Sequence, residues 1–120
     1  MMKRTMVLGA SLKEERYSNK AIHALREKEH EVIAIGLRTG TVGDVEIESD
    51  KFPYKLIDTI TMYLGEARQE EYEEYILSLK PKRIIFNPGA ENPVLSAKAK
   101  RNGIETLNAC TLVMLSTGQY

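Results

Sequence analysis

Five short runs of strand-forming residues, at 4–9, 31–36, 57–64, 83–86 and 104–108, set what this 120-residue chain can fold into. Thr5-Met6-Val7-Leu8 and Val32-Ile33-Ala34-Ile35 are unbroken apolar or β-branched stretches, the pattern of strands buried on both faces. Residues 57–64 are rich in β-branched types and predict a third strand. Helical patterns separate the runs. Ala21, Ile22 and Leu25 carry helical spacing, with Ser18 or Asn19 as the expected N-cap and an end near Glu29. Residues 67–80 predict a helix with Tyr72, Tyr75, Ile76 and Leu79 on one face, stopped by Pro81. Asn92 caps another, with Pro93 at its first position and Gly103 past its end. Thr111 to Ser116 predicts a short final helix. Residues 37–54 are irregular, and Val45-Glu46-Ile47 is either a short extra strand or an extended piece.

This alternation predicts an α/β fold: a parallel sheet of five main strands with helices on both faces. Right-handed crossovers favour a doubly wound sheet in the order 3-2-1-4-5. No linker or repeat divides the chain, so one domain over residues 1–120 is expected. Seventeen basic and seventeen acidic residues cancel, which argues against a general nucleic-acid binder. No apolar run approaches the ~18 residues of a membrane span. The single cysteine, Cys110, allows no internal disulfide and points to a reducing, cytoplasmic setting.

In a doubly wound sheet, ligands bind beyond the carboxyl ends of the strands where strand order reverses. In the expected order this is the crevice between the first and fourth strands, lined by Gly9-Ala10-Ser11 and by Asn87-Pro88-Gly89-Ala90. Gly9 permits a sharp turn, Ser11 offers a hydroxyl, and the following helix N-terminus suits a phosphate or pyrophosphate. Arg16, Tyr17, Ser18, Asn19 and Lys20 surround that terminus. The competing reading is a tight turn without a ligand. The dinucleotide pattern G-x-G-x-x-G is absent, and no acidic residue follows the second strand, where the chain runs Gly36-Leu37-Arg38. A cation there fits a phosphorylated adenosine ribose, as in coenzyme A or NADP; a solvated loop arginine is the alternative. Tyr63 ends the third strand where an adenine ring would lie. Asn92 is first of all a helix cap, and Glu91 a helix-dipole partner.

Catalytic and metal constellations are lacking. His23 and His30 are expected to be exposed and have no nucleophile at a suggestive spacing. Cys110 is by default a small buried thiol. No catalytic or metal-ligating residue is assigned.

The order Val7-Leu8-Gly9-Ala10-Ser11, Arg16-Tyr17-Ser18, Glu31-Val32-Ile33, Arg38 with Gly43, Asn87-Pro88-Gly89-Ala90-Glu91-Asn92 and Asn108-Ala109-Cys110 resembles the small stand-alone CoA-binding proteins. These are similar to the first domain of the succinyl-CoA synthetase α subunit. The resemblance implies a Rossmann-like fold, with pyrophosphate at Gly9, Ala10, Ser11 and the helix start. It places the adenosine near Gly36, Leu37, Arg38 and the end of the third strand, and has Asn87, Gly89 and Ala90 closing the crevice. The chain departs from the family at Gly36-Leu37, where Asn-Pro is frequent, and at Glu29, where glycine is common. The expected function is a non-catalytic module that binds coenzyme A or an acyl-CoA. The alternatives are a small NADP-dependent or acyl-CoA-dependent enzyme, and an interaction subunit whose helix at 67–80 and tail Val113-Met114-Leu115 dock a partner enzyme chain or a second copy.

Overall fold

The computed structural model of the chain describes residues 2–120. Seven strands form one sheet: β1 Thr5–Leu8, β2 Val32–Ile35, β3 Gly40–Val42, β4 Val45–Glu48, β5 Thr59–Met62, β6 Arg83–Phe86 and β7 Glu105–Asn108. Their order is β3-β4-β2-β1-β5-β6-β7. Every pairing is parallel except that of β3 with β4. The helices are α1 Tyr17–Glu27, α2 Glu66–Gln69, α3 Glu73–Leu79, α4 Pro93–Arg101 and α5 Thr111–Ser116. Successive strand residues face opposite sides, so β1 sends Met6 and Leu8 into one core and Val7 into another. The first core holds Ile76, Leu79 and Leu95 from α3 and α4; the second holds Ile22, Leu25 and Leu115 from α1 and α5. Apolar layers on both faces explain the unbroken hydrophobic runs and make the sheet doubly wound and Rossmann-like.

The strand order needs one correction. The expected 3-2-1-4-5 order put residues 57–64 beside β2, but β5 lies on the far side of β1, paired from Thr5↔Thr59 to Leu8↔Met62. The place beside β2 belongs to β4, through Ala34↔Ile47 and Ile35↔Glu48. A two-residue turn, Gly43-Asp44, folds β3 onto β4; Gly43 takes φ +60° at the position where such hairpins favour glycine. Arg26 holds the turn to α1, its Nε and Nη2 lying 3.0 and 2.8 Å from the Asp44 carboxylate. The hairpin occupies the open edge of β2 before the chain reaches Ile57, so the next strand must cross to β1.

Local differences have local causes. α1 begins at Tyr17, and neither Ser18 nor Asn19 caps it; both are buried in the first turn, where Asn19 Nδ2 donates to the Ser11 carbonyl at 2.9 Å. The helix expected over 67–80 is broken by a 3₁₀ turn at Glu70–Tyr72. Glu66, Glu70 and Glu74 would stand in line at i, i+4, and that repulsion weakens a continuous helix. Tyr72, Ile76 and Leu79 belong to the chain's own core, Tyr75 is half-buried, and Val113 is exposed. His30 is buried, contrary to expectation. Its Nδ1 accepts the Lys3 amide at 2.9 Å, and its ring sits 4.9 Å from that of Tyr120. His23 is exposed, and Cys110 is half-buried rather than enclosed. Asn92 caps α4 as expected, its Oδ1 accepting the Leu95 amide at 3.0 Å. Among the described residues, no helix is long and apolar enough to cross a membrane.

Candidate functional site

Strand order reverses between β1 and β5, and a cavity of about 570 Å³ opens there at the carboxyl edge of the sheet. Two glycines let three turns meet. Gly9 leaves β1 at φ +97°, and a Cβ on it would fall 2.9 Å from the Leu64 amide nitrogen. A Cβ on Gly36 would fall 2.2 Å from the Ala10 carbonyl oxygen. Neither position has room for a side chain.

The structure gathers Gly9, Ala10, Ser11, Arg16, Tyr17, Ser18, Gly36, Leu37, Arg38 and Tyr63 around this cavity. It does not gather Asn19, Lys20, Asn87, Gly89, Ala90 or Asn92 there. The crevice lies beside β5, so the turn after β6 stands one strand farther away and reaches it only through Pro88. Asn87 is fully engaged inside: Nδ2 donates to Thr61 Oγ1 at 2.8 Å and to the Met62 carbonyl at 3.0 Å, and Oδ1 accepts the Thr111 amide at 2.8 Å. Ala90 is buried, and the Gly89 amide donates to Glu91 Oε1 at 2.9 Å, which occupies that carboxylate in its own turn. Lys20 is exposed, its amine 5.4 Å from the centre of the Tyr17 ring. Leu12, Lys13, Leu64, Gly65, Arg68 and Tyr72 line the cavity without having been expected there. Correct placement of β5 beside β1 would have found most of them, because its following turn and helix form the opposite wall.

The donors at the β1 turn are not the ones its first residues suggest. The amides of Gly9 and Ala10 both donate to the Ile35 carbonyl at 2.9 Å. Ser11 Oγ accepts the Lys13 amide at 3.1 Å. The amides of Ser11, Leu12, Tyr17 and Ser18 have no acceptor among the described residues. Gly9 and Ala10 therefore shape the turn, and the free donors come from the next residues and from the first turn of α1.

The charge around the cavity is one-sided. Lys13, Arg16, Arg38 and Arg68 line it, none forms a salt bridge among the described residues, and no carboxylate lines it. In a chain of zero formal net charge this is a local segregation of positive potential. The Tyr63 ring packs against the second core at the wall of the cavity. Its hydroxyl is buried beside the Thr61 and Thr111 hydroxyls but makes no well-formed hydrogen bond among the described residues, and burial pushes its pKa up to about 12. Among the described residues, no group of three His, Cys, Asp or Glu is placed to hold a metal ion.

The family model described as CoA binding domain matches residues 3–116. The chain belongs to this CoA-binding domain family. Membership supports coenzyme A as the ligand class. Among solved structures, an uncharacterised protein is similar to this CoA-binding domain over the whole chain: 42% identity, TM-score 0.97, with 100% of this chain and 99% of that one covered. A protein from Thermus thermophilus has TM-score 0.83 at 19% identity, covering 99% and 91% of the two chains. A hypothetical protein from Pyrococcus horikoshii OT3 has TM-score 0.82 at 22% identity, covering 97% and 83%. These last two share the fold. No curated protein matches the chain.

Proposed function

We propose that the cleft binds coenzyme A or an acyl-CoA and performs no chemistry of its own. The observation that carries this reading is the meeting, in one cavity lined by no carboxylate, of four cations and of the Ser11, Leu12, Tyr17 and Ser18 amides, all without partners among the described residues. A ligand with three phosphate groups is its chemical complement. The diphosphate sits against the amides of Ser11, Leu12, Tyr17 and Ser18, where the dipole of α1 adds to the attraction. Arg38, at the end of β2, meets the 3′-phosphate of the ribose. Leu37, exposed at 65%, offers an apolar surface to the adjoining adenosine. The cavity lining holds no imidazole, thiol or carboxylate, the groups that most often move a proton, which favours a binding module that senses or carries the ligand.

Calorimetric titration with coenzyme A, dephospho-coenzyme A and NADP tests this. Coenzyme A is expected to bind more tightly than either of the others. Equal affinity for all three, or none, removes the reading. Arg38→Ala is expected to weaken coenzyme A by about tenfold or more, the size of a lost charge-assisted contact, and to leave dephospho-coenzyme A nearly unchanged.

A further inference from the structure

Gln69 is 0% exposed, and both ends of its carboxamide are hydrogen-bonded. Nε2 donates to the Leu64 carbonyl at 2.8 Å and to the Ala90 carbonyl at 2.7 Å; Oε1 accepts Asn92 Nδ2 at 3.0 Å. Both carbonyls can only accept, so the amide nitrogen must face them. Asn92 is oriented in turn by the backbone amide of Leu95 at 3.0 Å, so the chain of amides is fixed at both ends by main-chain atoms. Leu64 belongs to the turn after β5, and Ala90 to the turn after β6. Among the described residues, no other side chain bonds both. α2 is a single helical turn, continued into α3 only through the 3₁₀ turn Glu70–Tyr72, so the bonds that anchor its start help to fix its position. Arg68, one of the four cavity cations, stands on that turn beside Gln69. The Leu64 amide also abuts Gly9, so a shift of Leu64 reaches the β1 turn.

We infer that Gln69 is the positioning residue of the cleft, its buried carboxamide joining the Leu64 turn to the Ala90 turn and thereby fixing where Arg68 meets the ligand. The inference rests on the cleft being the coenzyme A site. It assigns the residue no contact with the ligand: Gln69 acts through Leu64 and Arg68.

A double-mutant cycle read by calorimetry with coenzyme A tests it. The unmutated chain is titrated first; absence of binding there overturns the site reading and this inference with it. Given binding, Arg68→Ala is expected to cost about tenfold in the unmutated background. In a Gln69→Met background the same substitution should cost less than about twofold, because Arg68 is already misplaced. Asn92→Asp is the second variant: the aspartate still caps α4 but cannot donate to Gln69 Oε1, and it too should reduce the effect of Arg68→Ala. It serves if Gln69→Met does not fold. Ile104→Ala, which opens the first core away from the cleft, is the control for general loosening and should leave affinity within about twofold. An Arg68→Ala effect equal in every background overturns the inference, as does a loss with Ile104→Ala equal to that with Gln69→Met.

Discussion

Replacing Gly36 by alanine isolates the steric requirement that shapes the cleft. Gly36 has no left-handed conformation to relieve, so in the folded chain the substitution only adds a methyl group, while the stiffer unfolded chain offsets up to about 1 kcal/mol of the cost. That methyl would lie 2.2 Å from the Ala10 carbonyl oxygen and 3.2 Å from Ile47 Cγ2. An ordinary carbon–oxygen approach is about 3.3 Å or more, so the carbonyl must retreat by roughly 1 Å. Retreat is resisted, because the amides of Gly9 and Ala10 are both tied to the Ile35 carbonyl. Inserting a methylene into a packed core costs about 1–3 kcal/mol, and the obstacle here is main chain, so about 2–3 kcal/mol is expected. Urea unfolding followed by circular dichroism should show a lower midpoint with an unchanged m-value. Calorimetry should show coenzyme A binding weakened by about tenfold or more, since the Ser11 and Leu12 amides follow the displaced carbonyl. A variant with wild-type midpoint and wild-type affinity refutes the reasoning.

Three further outcomes follow from single residues. Tyr63→Phe removes a buried hydroxyl that makes no well-formed hydrogen bond among the described residues and should leave stability unchanged or raise it by up to about 1 kcal/mol in thermal unfolding; a loss of that size means that its neighbours Thr61 and Thr111 bond it. Burial, reinforced by Lys3 and Arg83, lowers the His30 pKa below 6.5, so the unfolded chain takes up this proton first as pH falls. The contribution of His30 to stability is whole above pH 6.5, declines below it, and levels off beneath the lowered folded value. His30→Asn should flatten that part of the unfolding-midpoint profile, and an unaltered slope counts against the assignment. Glu29, two residues past the end of α1, takes φ +64°, a conformation costing a non-glycine residue about 1–2 kcal/mol and favouring glycine even after the greater freedom of the unfolded glycine chain is counted. Glu29→Gly should therefore raise the midpoint, by about 0.5–1 kcal/mol, and a loss contradicts the strain argument.

The fold class was legible in the sequence because continuous apolar runs and amphipathic stretches report burial directly. Position in the sheet was not. Residues 57–64 read correctly as a strand, but their place depended on whether Val45-Glu46-Ile47 paired with β2, a long-range choice that local pattern does not carry. That one ambiguity decided half of the cleft. It moved the opposite wall from Asn87–Asn92 to Tyr63–Arg68, and turned Asn87 and Asn92 from expected ligand contacts into internal amide partners. Most of the near wall, Gly9 to Ser11 and Arg16 to Ser18 with Gly36 to Arg38, was readable as cavity lining because the carboxyl ends of β1 and β2 flank the crevice whichever strand lies beyond β1. Which amides remain free was not readable. Only the structure shows Gly9 and Ala10 bonded to Ile35.

Titrating the isotopically labelled chain with coenzyme A and following each backbone amide by nuclear magnetic resonance tests the central claim most directly. The largest shifts are predicted at Ser11, Leu12, Tyr17 and Ser18, with Lys28 and Gly118, in the groove lined by His30 and Tyr120, unmoved. Shifts centred on that second groove, with the amides after β1 silent, would contradict the account.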